Sequence, residues 1–90
     1  RALAREPERV VPRVHLGRYL LASDDPAGAE AALDAALDRN PASADALGAL
    51  GVAQARRGDR LEAARSWRQA LRFDPAQPEA RAGLERLGAW

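Results

Sequence analysis

The sequence repeats itself at an offset of 34 residues. The matching residues include three dipeptides in each copy: Leu16-Gly17 and Leu50-Gly51, Ala36-Leu37 and Ala70-Leu71, and Pro41-Ala42 and Pro75-Ala76. Identities at one fixed period of this length are the signature of stacked structural repeats, so the period constrains the fold more than any other feature. It predicts two copies of one unit, residues 10–43 and residues 44–77.

The residues on either side of these two units continue the pattern. Residues 1–9 match the end of a unit, and we expect them to be the tail of a preceding repeat. Residues 78–90 match the first half of a unit, and we expect them to form a C-terminal capping helix, since repeat arrays cover their last core in this way. The chain begins with Arg1 instead of Met, so we also expect it to be a fragment or a processed product.

The composition favours helices throughout the chain. There are 22 Ala and 12 Leu, against four Val and neither Ile nor Thr. Ala, Leu, Arg and Glu are strong helix formers, whereas β-branched residues favour strands, and we therefore expect an all-α fold. All 14 basic residues are Arg, and this absence of Lys favours a GC-rich, bacterial source.

Each unit has the capping and turn residues of a helix–turn–helix. In the second unit, Ser43 is a suitable N-cap for a helix over about 44–57, and Gly58 can adopt the left-handed conformation that ends it. Asp59 then caps the next helix, with a glutamate three residues later. The first unit has a similar pattern, with Asp25 as the N-cap of its second helix.

Both units carry a glycine inside the first helix, at Gly17 and Gly51. Glycine in a helix interior costs roughly 1 kcal/mol relative to alanine, so we expect these positions to permit a close approach of two helices. Small residues stand twelve positions later in both units, at Ala29 and Ala63. We therefore expect each glycine to face the alanine of the following helix.

These positions resemble the motif of the tetratricopeptide repeat. That family has a large residue, then Leu-Gly, an aromatic residue, Ala, a second aromatic residue and Pro at fixed spacing. The second unit carries Leu47, Leu50-Gly51, Gln54, Ala63, Trp67 and Pro75 at these positions. The first unit carries Arg13, Leu16-Gly17, Leu20, Ala29, Leu33 and Pro41. The resemblance covers essentially the whole chain and implies a right-handed α-solenoid of helix–turn–helix repeats.

The resemblance also implies a function in protein–protein interaction. Arrays of this family are non-catalytic scaffolds whose first helices line a concave groove for a peptide or helix of a partner. Carried over to this chain, the groove positions are Val14, His15, Arg18, Leu21, Asp45, Gly48, Ala49, Val52, Arg56, Glu79, Ala82, Gly83 and Arg86. Small residues form a shallow trough at its centre: Gly48, Ala49, Ala82 and Gly83.

Three of the groove positions are arginines, namely Arg18, Arg56 and Arg86. Arginine can bind a carboxylate through two parallel hydrogen bonds. One interpretation is that the trough takes an apolar strand or helix that bears a carboxylate. The other is that these arginines are solvated surface groups.

Charge is segregated along the chain, although the net charge is only +1. Residues 24–45 hold six acidic residues and one Arg, whereas residues 56–72 hold six Arg and two acidic residues. Two acidic positions become basic one unit later: Asp34 and Asp38 correspond to Arg68 and Arg72. This pattern predicts either a ladder of intramolecular ion pairs or the stacking of one copy's acidic end on another's basic end.

Several chemistries lack the residues that they need. The sequence has no Cys, which excludes thiolate metal sites, and its single His15 has no acid at ligand spacing. No phosphate-binding loop or activated nucleophile is recognisable, so we expect no catalysis, no metal and no cofactor. No apolar run reaches the roughly 18 residues of a membrane span, and the Arg-rich segment lacks stacking aromatics. We expect neither membrane insertion nor nucleic-acid binding.

Two alternatives to a free-standing scaffold remain open from the sequence. One is a regulatory or substrate-presenting segment of a larger enzyme, and the other is a self-assembly module whose partner is another copy of the chain. The sequence does not identify a protein or peptide partner, and it does not choose between a cytoplasmic and a periplasmic location.

Overall fold

The computed structural model describes residues 12–88, and all regular secondary structure in this range is helical. It has helices α1 (Pro12–Ala22), α2 (Pro26–Arg39), α3 (Ala44–Arg56), α4 (Arg60–Phe73) and α5 (Pro78–Leu87). The predicted all-α class is confirmed for this range. The predicted repeat tail, residues 1–9, and the last two residues of the predicted capping segment lie outside it.

Side-chain caps fix the beginnings of four helices. Asp25, Ser43 and Asp59 each accept a hydrogen bond from the backbone N–H three residues later, at 3.0, 3.2 and 3.4 Å. Gln77 does the same for α5 at 2.8 Å, and it occupies the position equivalent to Ser43 at the 34-residue offset. Each cap satisfies a backbone donor that the helix itself cannot use. The three caps predicted from the sequence are confirmed.

The turn inside each unit uses one left-handed residue. Gly58 has a φ of +86°, as its place between α3 and α4 predicts, and the equivalent Asp24 has a φ of +62° between α1 and α2. Aspartate is among the few residues other than glycine that tolerate this conformation. The two turns therefore share one backbone geometry at the 34-residue offset.

Helix α3 lies at the centre of the molecule and packs against all four other helices. Helices α1 and α5 both pack against α3, and we call α1, α3 and α5 the three-helix layer. Helix α2 packs against α1 and α3, and α4 packs against α3 and α5; we call α2 and α4 the two-helix layer. Leu37 of α2 packs against the buried clusters of both units.

Two buried clusters hold these helices together. The first joins α1, α2 and α3 through Leu21, Ala29, Leu33, Ala36, Ala46, Ala49, Leu50 and Ala53. The second joins α3, α4 and α5 through Leu47, Ala63, Ala64, Trp67, Ala70, Ala80 and Leu84. Most of these residues are alanines, which lets the helices approach one another closely. Removing such apolar surface from water is the dominant favourable contribution to folding.

The helix-interior glycines are buried, and the nearest atoms to each belong to a large side chain. A Cβ atom added to Gly17 would lie 2.6 Å from the Cγ atom of Leu33, and one added to Gly51 would overlap the indole of Trp67. These large residues come one helical turn after the alanines Ala29 and Ala63 that the sequence suggested. Each glycine therefore makes room for a large side chain of the following helix.

Candidate functional site

The predicted groove residues all lie on α1, α3 and α5, which form the three-helix layer. Their accessibility differs widely. Five are exposed, namely His15, Asp45, Arg56, Ala82 and Arg86. Four are partly exposed, namely Val14, Arg18, Val52 and Glu79. Four are buried, namely Leu21, Gly48, Ala49 and Gly83. The accessible face of this layer is therefore narrower than the sequence predicted.

The four buried residues correct the predicted trough. Leu21 and Ala49 belong to the first buried cluster, where Ala49 has no exposed surface. Gly83 lies against the indole of Trp67, and a Cβ atom there would be 2.5 Å from the ring. These positions point into the helix packing, so they offer no surface to a ligand.

Gly48 is buried because another side chain covers it. The amide group of Gln77 occupies the space that a Cβ atom of Gly48 would need. Gln77 is fully buried, and its Nε2 donates a hydrogen bond of 2.8 Å to Oε1 of Glu79. The carbonyl oxygen of Gly48 accepts a hydrogen bond of 3.0 Å from Nε1 of Trp67 on α4. Gly48 therefore leaves space for the side chain of Gln77 and provides a backbone acceptor for Trp67.

Arg18 connects all three helices of the layer. Its Nη1 donates to Oε2 of Glu79, and its Nη2 donates to Oε1 of the same carboxylate at 3.2 Å. The same Nη2 also lies 3.5 Å from the carbonyl oxygen of Asp45 at the beginning of α3. This is the two-pronged binding of a carboxylate that was expected of the groove arginines, but the carboxylate belongs to the chain itself.

The other two groove arginines differ from each other. Arg56 donates through Nη1 to the carbonyl oxygen of Leu21 at 2.5 Å, which satisfies a backbone acceptor at the end of α1. Arg86 is exposed on α5 and makes no hydrogen bond or ion pair with another residue of the described range. Of the three predicted arginines, Arg86 is thus the one whose guanidinium is open to a partner.

Three apolar residues of the predicted groove remain accessible. Val14, Val52 and Ala82 come from α1, α3 and α5 in turn, and each keeps part of its surface exposed. The predicted groove therefore combines three partly accessible apolar side chains with one internal ion pair and one open guanidinium.

Gln77 is the residue of this region that the sequence did not reveal. It caps α5, covers Gly48 and orients the Glu79 carboxylate. Glutamine is not a strongly preferred N-cap residue, so composition gives no signal for it. The 34-residue offset does give one, because it aligns Gln77 with the cap Ser43.

The charged segments lie mostly outside this face, and the predicted ladder of ion pairs is wrong. Arg57 joins the two segments by donating to Glu30 at 2.6 Å. Asp34, Asp38 and Arg72 make no ion pair with another residue of the range 12–88. Partial burial raises the pKa of Asp34, and the neighbouring charges of Glu30 and Asp38 raise it further. The acidic side of α2 is therefore not neutralised within the described chain.

No group of three or more His, Asp or Glu side chains in the described residues is placed to hold a metal ion. The buried hydroxyl of Ser66 donates to Oε1 of Gln54 at 2.7 Å, which is a structural contact. None of the helices between residues 12 and 88 is both long enough and apolar enough to cross a bilayer.

Comparison with known proteins adds no family to these observations: a scan against protein-family models and a search of curated proteins both find no match.

Proposed function

We propose that this chain is a right-handed α-solenoid of tetratricopeptide-type repeats that acts as a non-catalytic scaffold for protein–protein interaction. The observation that carries the proposal is the contact of Arg18 on α1 with Glu79 on α5, across the beginning of α3. It joins residues 61 positions apart, on the first helices of the first and third units, and this supports a side-by-side arrangement of the first helices. An array that presents its first helices together offers one continuous surface for a partner.

The equivalence of the units supports this interpretation. Asp24 and Gly58 share the left-handed turn position, and Ser43 and Gln77 share the cap position. Each pair is separated by 34 residues, so the period governs the backbone as well as the sequence. This period is typical of the tetratricopeptide repeat.

The partner that fits this face is a short apolar segment with an acidic group. Its apolar side chains would cover Val14, Val52 and Ala82, and its carboxylate would bind the open guanidinium of Arg86. A second carboxylate would reach Arg18 only by replacing Glu79. Because the face is already ordered, binding would cost little conformational entropy on the side of the scaffold.

A peptide-display selection on the immobilised chain tests the proposal. We expect enriched peptides to be apolar and acidic, and to lose binding to the variant Ala82→Glu/Arg86→Glu. The matched control is Ala42→Glu/Arg39→Glu, which makes the same chemical changes on exposed residues at the end of α2 and in the turn that follows it, outside both proposed surfaces. Failure to enrich any peptide, or equal loss of binding in both variants, would contradict the proposal.

The internal ion pair gives a second test of the same face. Glu79→Gln removes the carboxylate that competes for Arg18, and we expect selected acidic peptides to bind this variant more tightly. Glu85→Gln, on an exposed residue of the same helix, is the control. If both variants bind equally well, Arg18 takes no part in recognition.

A further inference from the structure

The two-helix layer carries two exposed stripes with complementary chemistry. The acidic stripe on α2 consists of Ala27, Ala31, Asp34 and Asp38. The basic stripe on α4 consists of Leu61, Arg65, Arg68 and Arg72. Spacings of four, three and four residues place each set on one side of its helix. The two stripes occupy the same repeat positions, so they correspond residue by residue.

The acidic stripe lacks a counterion in the described chain. Asp34 and Asp38 have no ion-pair partner there, and the pKa of Asp34 is raised by burial and then by Glu30 and Asp38. Every one of these causes opposes the ionised form. A cation brought to this stripe from outside would relieve the repulsion.

The basic stripe borders two shallow depressions. One is lined by Arg65, Arg68, Gln69 and Arg72, and the other by Arg60, Leu61, Ala64, Arg68 and Leu87. Arg68 belongs to both, so the depressions form one surface with a basic half and an apolar half. Leu61 is 80% exposed, which is unusual for a large apolar side chain.

The two stripes also run in the same direction. Short turns join α2 to α3 and α3 to α4, and helices joined in this way are antiparallel neighbours. Helices α2 and α4 are therefore parallel to each other. Both pack against α3, and Leu37 of α2 reaches the buried cluster that contains α4, so the proposed arrangement takes them as side by side. A two-fold axis along their direction would bring α2 of each copy over α4 of the other, with the helix directions preserved.

We propose that the two-helix layer is the interface of a homodimer in which each acidic stripe lies on the basic stripe of the other copy. In this register, Asp34 and Asp38 meet Arg68 and Arg72 of the second copy. The small side chain of Ala27 leaves room for Leu61 of the second copy. The two-fold arrangement satisfies both stripes of both copies at once, so the assembly closes at two subunits.

Sedimentation velocity at several protein and salt concentrations tests this dimer. We expect the mass of two chains at low salt and a shift toward one chain as the salt concentration rises, because the ion pairs are exposed to solvent. A monomer at the highest soluble concentration in low salt would overturn the proposal. A mass that keeps rising with concentration would overturn the closed two-fold arrangement.

Charge reversal gives the decisive comparison. The variants Asp34→Arg/Asp38→Arg and Arg68→Glu/Arg72→Glu each make the two stripes alike in charge, so each variant alone should be monomeric. Mixed in equal amounts, they should form a heterodimer, because every reversed stripe then faces its complement. Failure of the mixture to associate would overturn the proposal, as would self-association of either variant alone.

Controls keep these results separate from the folding of the chain and from the proposed scaffold function. Circular dichroism shows whether each variant retains its helices. The exchange Arg81→Glu/Glu85→Arg alters exposed charges on α5, outside both stripes, and should leave the dimer unchanged. Leu61→Ser should weaken the dimer at every salt concentration, because it removes the apolar contact and leaves the charges. We expect the stripe variants to keep peptide binding to the three-helix layer, because the residues of both stripes lie on α2 and α4.

Discussion

In each unit one large side chain fills the space between the helices, and we call the packing around it the joint of that unit. The two joints differ in the size of this side chain. In the first unit Leu33 fills the joint, next to Gly17, and Ala49 belongs to the same cluster. In the second unit the equivalent residue is Trp67, which lies between Gly51 and Gly83. Gly83 occupies the position of Ala49 one unit later. The larger side chain is accommodated because the following helix has glycine at this position, where the first unit has alanine.

The second joint also contains hydrogen bonds that the first joint lacks. Trp67 donates to the backbone of α3, and the buried Ser66 donates to Gln54. The residues equivalent to Ser66 and Gln54 in the first unit are Ala32 and Leu20, which cannot form such a bond. The packing around Leu33 is therefore apolar, whereas the packing around Trp67 adds directional hydrogen bonds.

The largest difference between the joints is expected on truncation of their central residues. Trp67→Ala should lower the free energy of unfolding by about 3–5 kcal/mol, because it opens a large cavity and removes a buried hydrogen bond. Leu33→Ala should cost less, with a lower limit of about 2 kcal/mol. Urea denaturation followed by circular dichroism measures both values. An equal or larger loss for Leu33→Ala would contradict the difference between the joints.

The buried hydrogen bond of the second joint gives the next effect. Ser66→Ala leaves Oε1 of Gln54 without its donor and should cost about 1–3 kcal/mol. The double variant Gln54→Leu/Ser66→Ala copies the pair found in the first unit and should recover most of that loss. The same denaturation experiment compares the three proteins. If the double variant is less stable than Ser66→Ala, the apolar pair of the first unit does not fit the second joint.

The glycine opposite Trp67 should have a smaller net effect. Gly83→Ala introduces a clash with the indole, with a cost of about 1–3 kcal/mol, and gains about 1 kcal/mol of helix propensity. In the Trp67→Leu background the clash is absent, so the same substitution should stabilise the protein. A double-mutant cycle measures this change of sign. Identical effects of Gly83→Ala in both backgrounds would show that the two residues are not coupled.

The smallest effect concerns the uncompensated acid of the first unit. Because the pKa of Asp34 in the folded chain lies above its ordinary 3.8, the folded state binds the proton more tightly than the unfolded state does. Asp34 therefore stabilises the fold at low pH, and this contribution is lost as the pH rises through the raised pKa. Asp34→Asn should be more stable than the wild type at pH 7, and the difference should vanish below about pH 3.8. Denaturation of dilute protein across this range measures it, and parallel curves would contradict the prediction.

The local elements of the fold were predictable from the sequence. The caps Asp25, Ser43 and Asp59 and the turn residue Gly58 act through neighbours within a few residues, so their types reveal their roles. These capping and turn residues also predicted the helix boundaries, for example 44–57 for the helix that spans Ala44–Arg56. The identity of the residue opposite each glycine was not predictable from this pattern, because it depends on how the helices are rotated against each other.

The candidate site was predictable only at the level of its helices. The motif placed the groove residues on α1, α3 and α5, but Gly48, Ala49 and Gly83 face the packing and not the solvent. Their exposure depends on which large side chain of another helix fills the space beside them. The ion pair of Arg18 with Glu79 had no local signal either, since 61 residues separate the partners.

The contact of α1 with α5 across α3 is the feature on which both proposed surfaces depend, and cross-linking measures it directly. The chain has no Cys, so the variant Arg18→Cys/Glu79→Cys carries thiols only at these two positions. With a short bismaleimide, we expect an efficient link within one chain, detected by mass spectrometry of the folded monomer. The control Asp34→Cys/Glu79→Cys, whose first thiol lies on the two-helix layer, should give little. Equal yields from the two folded variants, or no link between positions 18 and 79, would contradict the layered arrangement.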